Sequence, residues 1–134
     1  MIGLYIHLSL MAAATLAMLG AIVIARYFKK KKWWLKAHKA FNGASLALAL
    51  GGFAAAFSMV QESGGPHFRV GHGVVGFIAL LLALATPVLG FAIFKTKDKK
   101  RIPLLKQSHR WLGRLVALGM ASAAILGLSL IGVF

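Results

Sequence analysis

Residues Lys36–Gly52 read KAHKAFNGASLALALGG. Lysines flank a histidine, and from Ala40 onward the segment carries no charge. The same layout occurs three more times. His109 lies in KQSHRWLGRLVALG (Lys106–Gly119), His72 in RVGHGVVGFIALLLALA (Arg69–Ala85) and His7 in YIHLSLMAAATLAML (Tyr5–Leu19). Extending each segment to its polar borders predicts four apolar spans, at residues 2–25, 36–60, 70–94 and 109–133. Each is about 24 residues long, and roughly 20 suffice to cross a bilayer as a helix.

The composition agrees with a membrane protein. The chain has 134 residues, 60% of them hydrophobic, and a mean hydropathy of +0.82. A soluble domain of this size is less apolar. The first apolar run lacks a basic segment ahead of it, and its positive charge follows it. It is therefore expected to remain as a span and not to be cleaved as a leader. There are no cysteines, which excludes disulfides, thiolate metal sites, iron–sulfur clusters and covalently attached c-type haem.

The net charge of +14 comes from 16 Lys and Arg against 2 acidic residues. Its distribution points away from nucleic acid. Arg26, Lys29–Lys32, Lys36 and Lys39 form one group, and Lys95 to Arg114 hold eight more, so 15 of the 16 cations fall beside two connections on one face. The other face has Arg69 and Glu62. The positive-inside rule then puts both basic connections in the cytoplasm and both termini outside, with anionic lipid head groups as a secondary partner. Short connections imply antiparallel neighbours. The expected fold is an all-α, up-down four-helix transmembrane bundle forming a single domain over 1–134. Pro87 is expected to bend the third span.

In such a bundle helices one and three are diagonal, as are two and four. His7 and His72 then share the outer level, and His38 and His109 the inner one. Two imidazoles on opposite sides suit one six-coordinate haem iron at each level. Small or modest residues follow each histidine on its own face: His7, Met11, Ala14, Met18; His38, Asn42, Ser45, Ala49; His72, Gly76, Ala79, Ala83; His109, Gly113, Val116, Met120. Gly76, Gly113 and Asn42 are candidates for making room beside a porphyrin. Small residues at this spacing also serve plain helix packing. Counting residues puts the two levels about 16 positions apart, or roughly 24 Å at 1.5 Å per residue. Arg114, Lys106 and Lys39 are candidate partners for the propionates of the inner haem, and Arg69 for the outer one. Snorkelling to lipid phosphate is the competing role for Arg114.

These features resemble the cytochrome b561 family. The resemblance rests on one histidine per helix, paired one with three and two with four, and on the local strings HLSLM, KAHKAFNG and SHRWLG. It implies two b-type haems that carry electrons across a membrane, with His7, His72, His38 and His109 as iron ligands. It implies homodimer packing and cytoplasmic ascorbate as a donor, with Lys29 and Lys100, each nine residues before an inner ligand, as donor-binding positions. Trp33 stands where ascorbate-using members tend to have lysine. Members usually have six spans, and these residues supply the core four. That architecture would suit a bacterial relative fed by quinol or a redox protein, in an inner membrane in place of a plasma membrane. His67 matches an outer-loop histidine that can help bind the acceptor, and it is otherwise a solvated turn residue. Three other functions compete: a haem-carrying anchor subunit of a quinol-linked or multihaem complex, a small four-span transporter, and a zinc or copper site. Coupled transporters usually need a carboxylate within the membrane, whereas Glu62 and Asp98 lie in polar breaks. Zinc wants three or four clustered ligands.

Overall fold

Every apolar stretch is helical in the computed structural model, which describes residues 2–133. The helices are α1 (Ile2–Tyr27), α2 (Trp34–Glu62), α3 (Gly71–Lys95) and α4 (Ile102–Leu130). All four are long and apolar enough to cross a membrane, and the described residues hold no strand. Long runs of Ala and Leu favour helix. Breaks occur where charge, Gly or Pro accumulates. The tetralysine at Lys29–Lys32 falls in the turn after α1, and Pro66 lies in the link before α3.

Two boundaries, both of α4, differ from the sequence expectation by three residues or more, and each has a local cause. α4 starts at Ile102, seven residues before His109, because Pro103 occupies its first turn. Proline fits there since its missing N–H would have no helical partner. His109 is therefore two turns inside its helix and not at its edge. α4 ends at Leu130 because Gly132 takes a left-handed φ of 72°. Val133 N–H then reaches the Leu128 carbonyl (3.1 Å) and Gly132 N–H the Ser129 carbonyl (3.2 Å), a closed C-terminal motif. α3 continues as one helix through Pro87.

The chain divides into two compact units, residues 1–67 and 68–134. Each is a helical hairpin. In the first, Ala14 is paired with Ser45, Met11 with Gly52 and Gly3 with Met59. Partners thus run in reverse order along α1 and α2. In the second, Thr86 meets His109, Ala79 meets Gly119, and Gly76 and His72 meet Ala123. The seams are narrow and made of small groups. The buried residues are Ala14, Met18 and Ala21 against Ser45, Ala49 and Gly52, and Ala79 and Leu80 against Val116, Met120 and Ala123. Much of the remaining apolar surface, including Leu16, Phe57, Val88, Phe91 and Leu118, faces outward. That distribution suits lipid as solvent. Hydrocarbon offers no reason to hide leucine, so helices associate through close packing of small residues and a few hydrogen bonds. Ser45 supplies one of these, its Oγ donating to the Ala14 carbonyl at 2.8 Å.

An unyielding seam contact lies at Gly119. A Cβ there would lie 2.9 Å from Ala79 Cβ and 3.6 Å from Ala79 Cα. Neither atom can move without its helix. At Gly52 the nearest atoms are Met11 Sδ and Cγ, at 2.7 and 3.0 Å, and a methionine chain can swing aside. Gly119→Ala should therefore destabilise the protein by about 1–3 kcal/mol, and Gly52→Ala by clearly less. Thermal unfolding of both variants in detergent checks the order.

Candidate functional site

The four span histidines share one environment. His7 Nδ1 donates to the Gly52 carbonyl at 2.8 Å, and His38 Nδ1 to the Ala21 carbonyl at 2.9 Å. His72 Nδ1 donates to the Ala123 carbonyl at 2.8 Å, and His109 Nδ1 to the Thr86 carbonyl at 3.0 Å. Each bond crosses to the partner helix of the same hairpin. A carbonyl can only accept, so each bond puts the ring proton on Nδ1 and makes Nε2 the nitrogen with a lone pair. All four rings are half-buried. An imidazole anchored through Nδ1 and coordinating through Nε2 is the usual arrangement of a metal-bound histidine, whose other nitrogen is oriented by an outer partner.

The carbonyl partners expose a repeat that the residue types conceal. α1 maps onto α3 with a shift of 65 positions: His7 to His72, Ala14 to Ala79, Ala21 to Thr86. α2 maps onto α4 with a shift of 71: His38 to His109, Ser45 to Val116, Ala49 to Met120, Gly52 to Ala123. The two hairpins repeat each other bond for bond at the histidines. On every helix the histidine and the carbonyl that receives its partner are 14 positions apart: 7 and 21, 38 and 52, 72 and 86, 109 and 123. The levels are thus roughly 21 Å apart at 1.5 Å per residue, closer than the spacing counted from the sequence. In each hairpin the His38 or His109 level is the one near the basic turn, at residues 28–33 or 96–101.

The other candidate residues fall into three groups. Asn42 belongs to the histidine environment. Its Nδ2 donates to the His38 carbonyl at 2.8 Å and lies 3.3 Å from both nitrogens of that ring. Gly76 belongs to the seam, where a Cβ would come 3.9 Å from Ala123 Cβ. Gly113 has open space, with nothing within 4 Å of a Cβ built there. Cations form the second group. Lys106, Arg110 and Arg114 succeed one another at four-residue steps on α4 and line a groove with Ile102, Pro103 and Trp111. The Arg114 guanidinium stacks over the Trp111 ring, 4.7 Å from its centroid, which lets a charge deep in the span rest on an aromatic face. Lys39 is exposed on α2, and the 71-position shift makes it the counterpart of Arg110. Arg69 is exposed just before α3. Lys29 and Lys100 form the third group, exposed in the two basic turns. The Lys100 N–H donates to Asp98 Oδ1 at 2.9 Å, and Asp98 also pairs with Arg101 at 3.2 Å.

His67 is set apart from these. It stacks on Phe57, centroids 4.0 Å apart and planes within 8°, and its Nε2 contacts Gln61 Oε1 at 3.1 Å. Both partners are on the last turns of α2. His67 thus packs against the end of the helix that precedes it.

The residues fit a haem better than a zinc ion. Among the described residues no three His, Asp or Glu side chains gather in one place, whereas zinc sites need three or four ligands together. What each hairpin builds is two single imidazoles, oriented through Nδ1 and separated by four helical turns. Haem takes one such imidazole on each axial side. The four carbonyl partners, Ala21, Gly52, Thr86 and Ala123, were missed from sequence, since any residue type supplies a carbonyl. The 65- and 71-position shifts were the signal that could have found them.

Comparison with known proteins agrees. A family model described as eukaryotic cytochrome b561 matches residues 3–134. No match was found among curated proteins or among solved structures. With four membrane-spanning helices and a match over essentially its whole length, this chain is an integral membrane protein of the cytochrome b561 family, whose members carry out haem-dependent electron transfer across membranes.

Proposed function

We propose that this chain conducts electrons through two b-type haems, each gripped by two histidines, His7 with His72 and His38 with His109. The observation that carries the reading is the repeated Nδ1-to-carbonyl bond. All four imidazoles are prepared in the same tautomer, and the histidines that the repeat makes equivalent are those proposed to share an iron. Axial sites filled by two imidazoles direct the haem to electron transfer and away from oxygen binding. When bound, haem supplies the one-electron chemistry. The chain supplies orientation, a low-dielectric surround and charge.

The remaining residues have roles by position. Arg114, Lys106 and Lys39 lie toward the basic turns, where they can neutralise propionates of the His38/His109 haem. Arg69 does so for the His7/His72 haem. Gly113 leaves room beside His109. Asn42 steadies His38, and Gly76 leaves room beside His72. The basic turns face the cytoplasm, as the positive-inside rule requires, and both ends of the four-helix core face out. The membrane is a plasma or bacterial inner membrane. Lys29 and Lys100 meet an anionic donor such as ascorbate, or a quinol or redox protein docks there, and His67 meets the acceptor.

An absorption spectrum tests this reading. Detergent-purified protein, made with ample haem supply, should show a sharp b-type α-band on dithionite reduction and two haems per chain. Protein that takes up no haem under those conditions would overturn it.

A further inference from the structure

We infer that Gly127 is the residue that seats the His72 imidazole. The inference rests on His72 being a haem ligand, as proposed above, and concerns a position to which no role has been given so far. A Cβ built on Gly127 would lie 2.8 Å from His72 Cε1, 2.9 Å from Nδ1 and 3.6 Å from Nε2. Carbon atoms in contact settle near 3.5–4.0 Å, so the ring occupies the volume that any side chain at 127 would take. The ring is not able to retreat without cost, because its Nδ1 is held 2.8 Å from the Ala123 carbonyl. Ala123 and Gly127 are one turn apart on the same face of α4. One helical turn therefore both anchors the ring and leaves it space.

The repeat sharpens the point. The counterpart of Gly127 beside His7 is Ala56, and His7 makes its own carbonyl bond at the same 2.8 Å. Beside His109 the residue one turn beyond the carbonyl partner is Gly90, where a Cβ would meet His109 Cε1 at 3.5 Å, an ordinary contact. Its counterpart beside His38 is Ala25. A methyl group is thus present at two of these four positions and sterically allowed at a third. At Gly127 it is not. Gly127 acts through His72 and is a positioning residue, with its own contact to the ring but none proposed to iron.

Gly127→Ala should push the His72 ring off its carbonyl. Loss of an outer partner of a metal ligand typically weakens metal binding roughly 10- to 100-fold. In the purified holoprotein, one of two low-spin haem signals in the electron paramagnetic resonance spectrum should shift or vanish, and haem per chain should fall toward half. The signal of the other haem serves as an internal check on folding. Gly90→Ala, the matched substitution at the other level, should leave both signals in place. Two unchanged signals in Gly127→Ala would refute the inference while leaving the two-haem reading intact, whereas a wild-type protein without haem would remove the reading itself. If Gly127→Ala loses both haems, the His72→Ala/Gly127→Ala double variant decides. Haem content equal to that of His72→Ala alone supports action through the ring. A further drop shows that Gly127 serves general packing and overturns the inference.

Discussion

Replacing His72 with alanine should remove one of the two proposed haems and spare the other. His72 is bonded to Ala123, and the histidine proposed for the other haem in the same hairpin, His109, is bonded to Thr86. Those levels are 14 positions apart on both helices. Truncation at one level therefore leaves the anchoring at the other untouched, apart from one lost hydrogen bond worth about 1 kcal/mol or less. His38→Ala should do the reverse. The pyridine haemochrome assay should read half the wild-type haem in each variant, and redox titration should resolve a different surviving component in each. Identical survivors would contradict the pairing. His67→Ala keeps both haems, since its stacking on Phe57 and its contact with Gln61 tie it to the end of α2.

Electron transfer across the bilayer should collapse to the leak of protein-free vesicles in either single-ligand variant. The levels are roughly 21 Å apart by helical rise. Two haems held at those levels would have edges closer together than their irons. With one haem missing, the survivor is left alone near one surface of a hydrocarbon core about 30 Å thick. Proteoliposomes with ferricyanide trapped inside and a membrane-impermeant reductant outside measure this directly. Wild-type protein should reduce the trapped oxidant, and His72→Ala and His38→Ala should not. Retained flux in a variant that has lost one haem would show that the two haems are not in series.

Much of this was legible in the chain itself. Four apolar stretches, each long enough to cross a bilayer and separated by short polar breaks, leave little choice of fold, and a histidine in each draws the eye to ligation. The seam was legible too: Ala14, Met18, Ser45, Ala49, Ala79, Val116 and Met120 were expected on the histidine faces and are buried between paired helices. Their meaning was harder to read. Gly76 was a candidate for porphyrin space, and it also faces α4 at Ala123. Small side chains are ambiguous by nature, since closeness of approach serves a cofactor and a neighbouring helix alike. The extent of α4 escaped for another reason. Pro103 can begin a helix as readily as it can precede one, and a basic, amphipathic first two turns do not look like membrane. The anchoring of the rings was invisible because it uses main-chain oxygen.

That last feature governs how such a protein can change. A hydrogen bond to a side chain is lost by one substitution, whereas the oxygens that hold these imidazoles belong to Gly52, Ala21, Ala123 and Thr86 only as members of a helix. Any residue that the seam has room for would present the same acceptor there. A single inserted or deleted residue between the two levels could not be absorbed, because it would turn every later acceptor by about 100° around the helix axis. What limits the residue type at these four positions is the room in the seam, whereas the bonds themselves fix the count of residues between them.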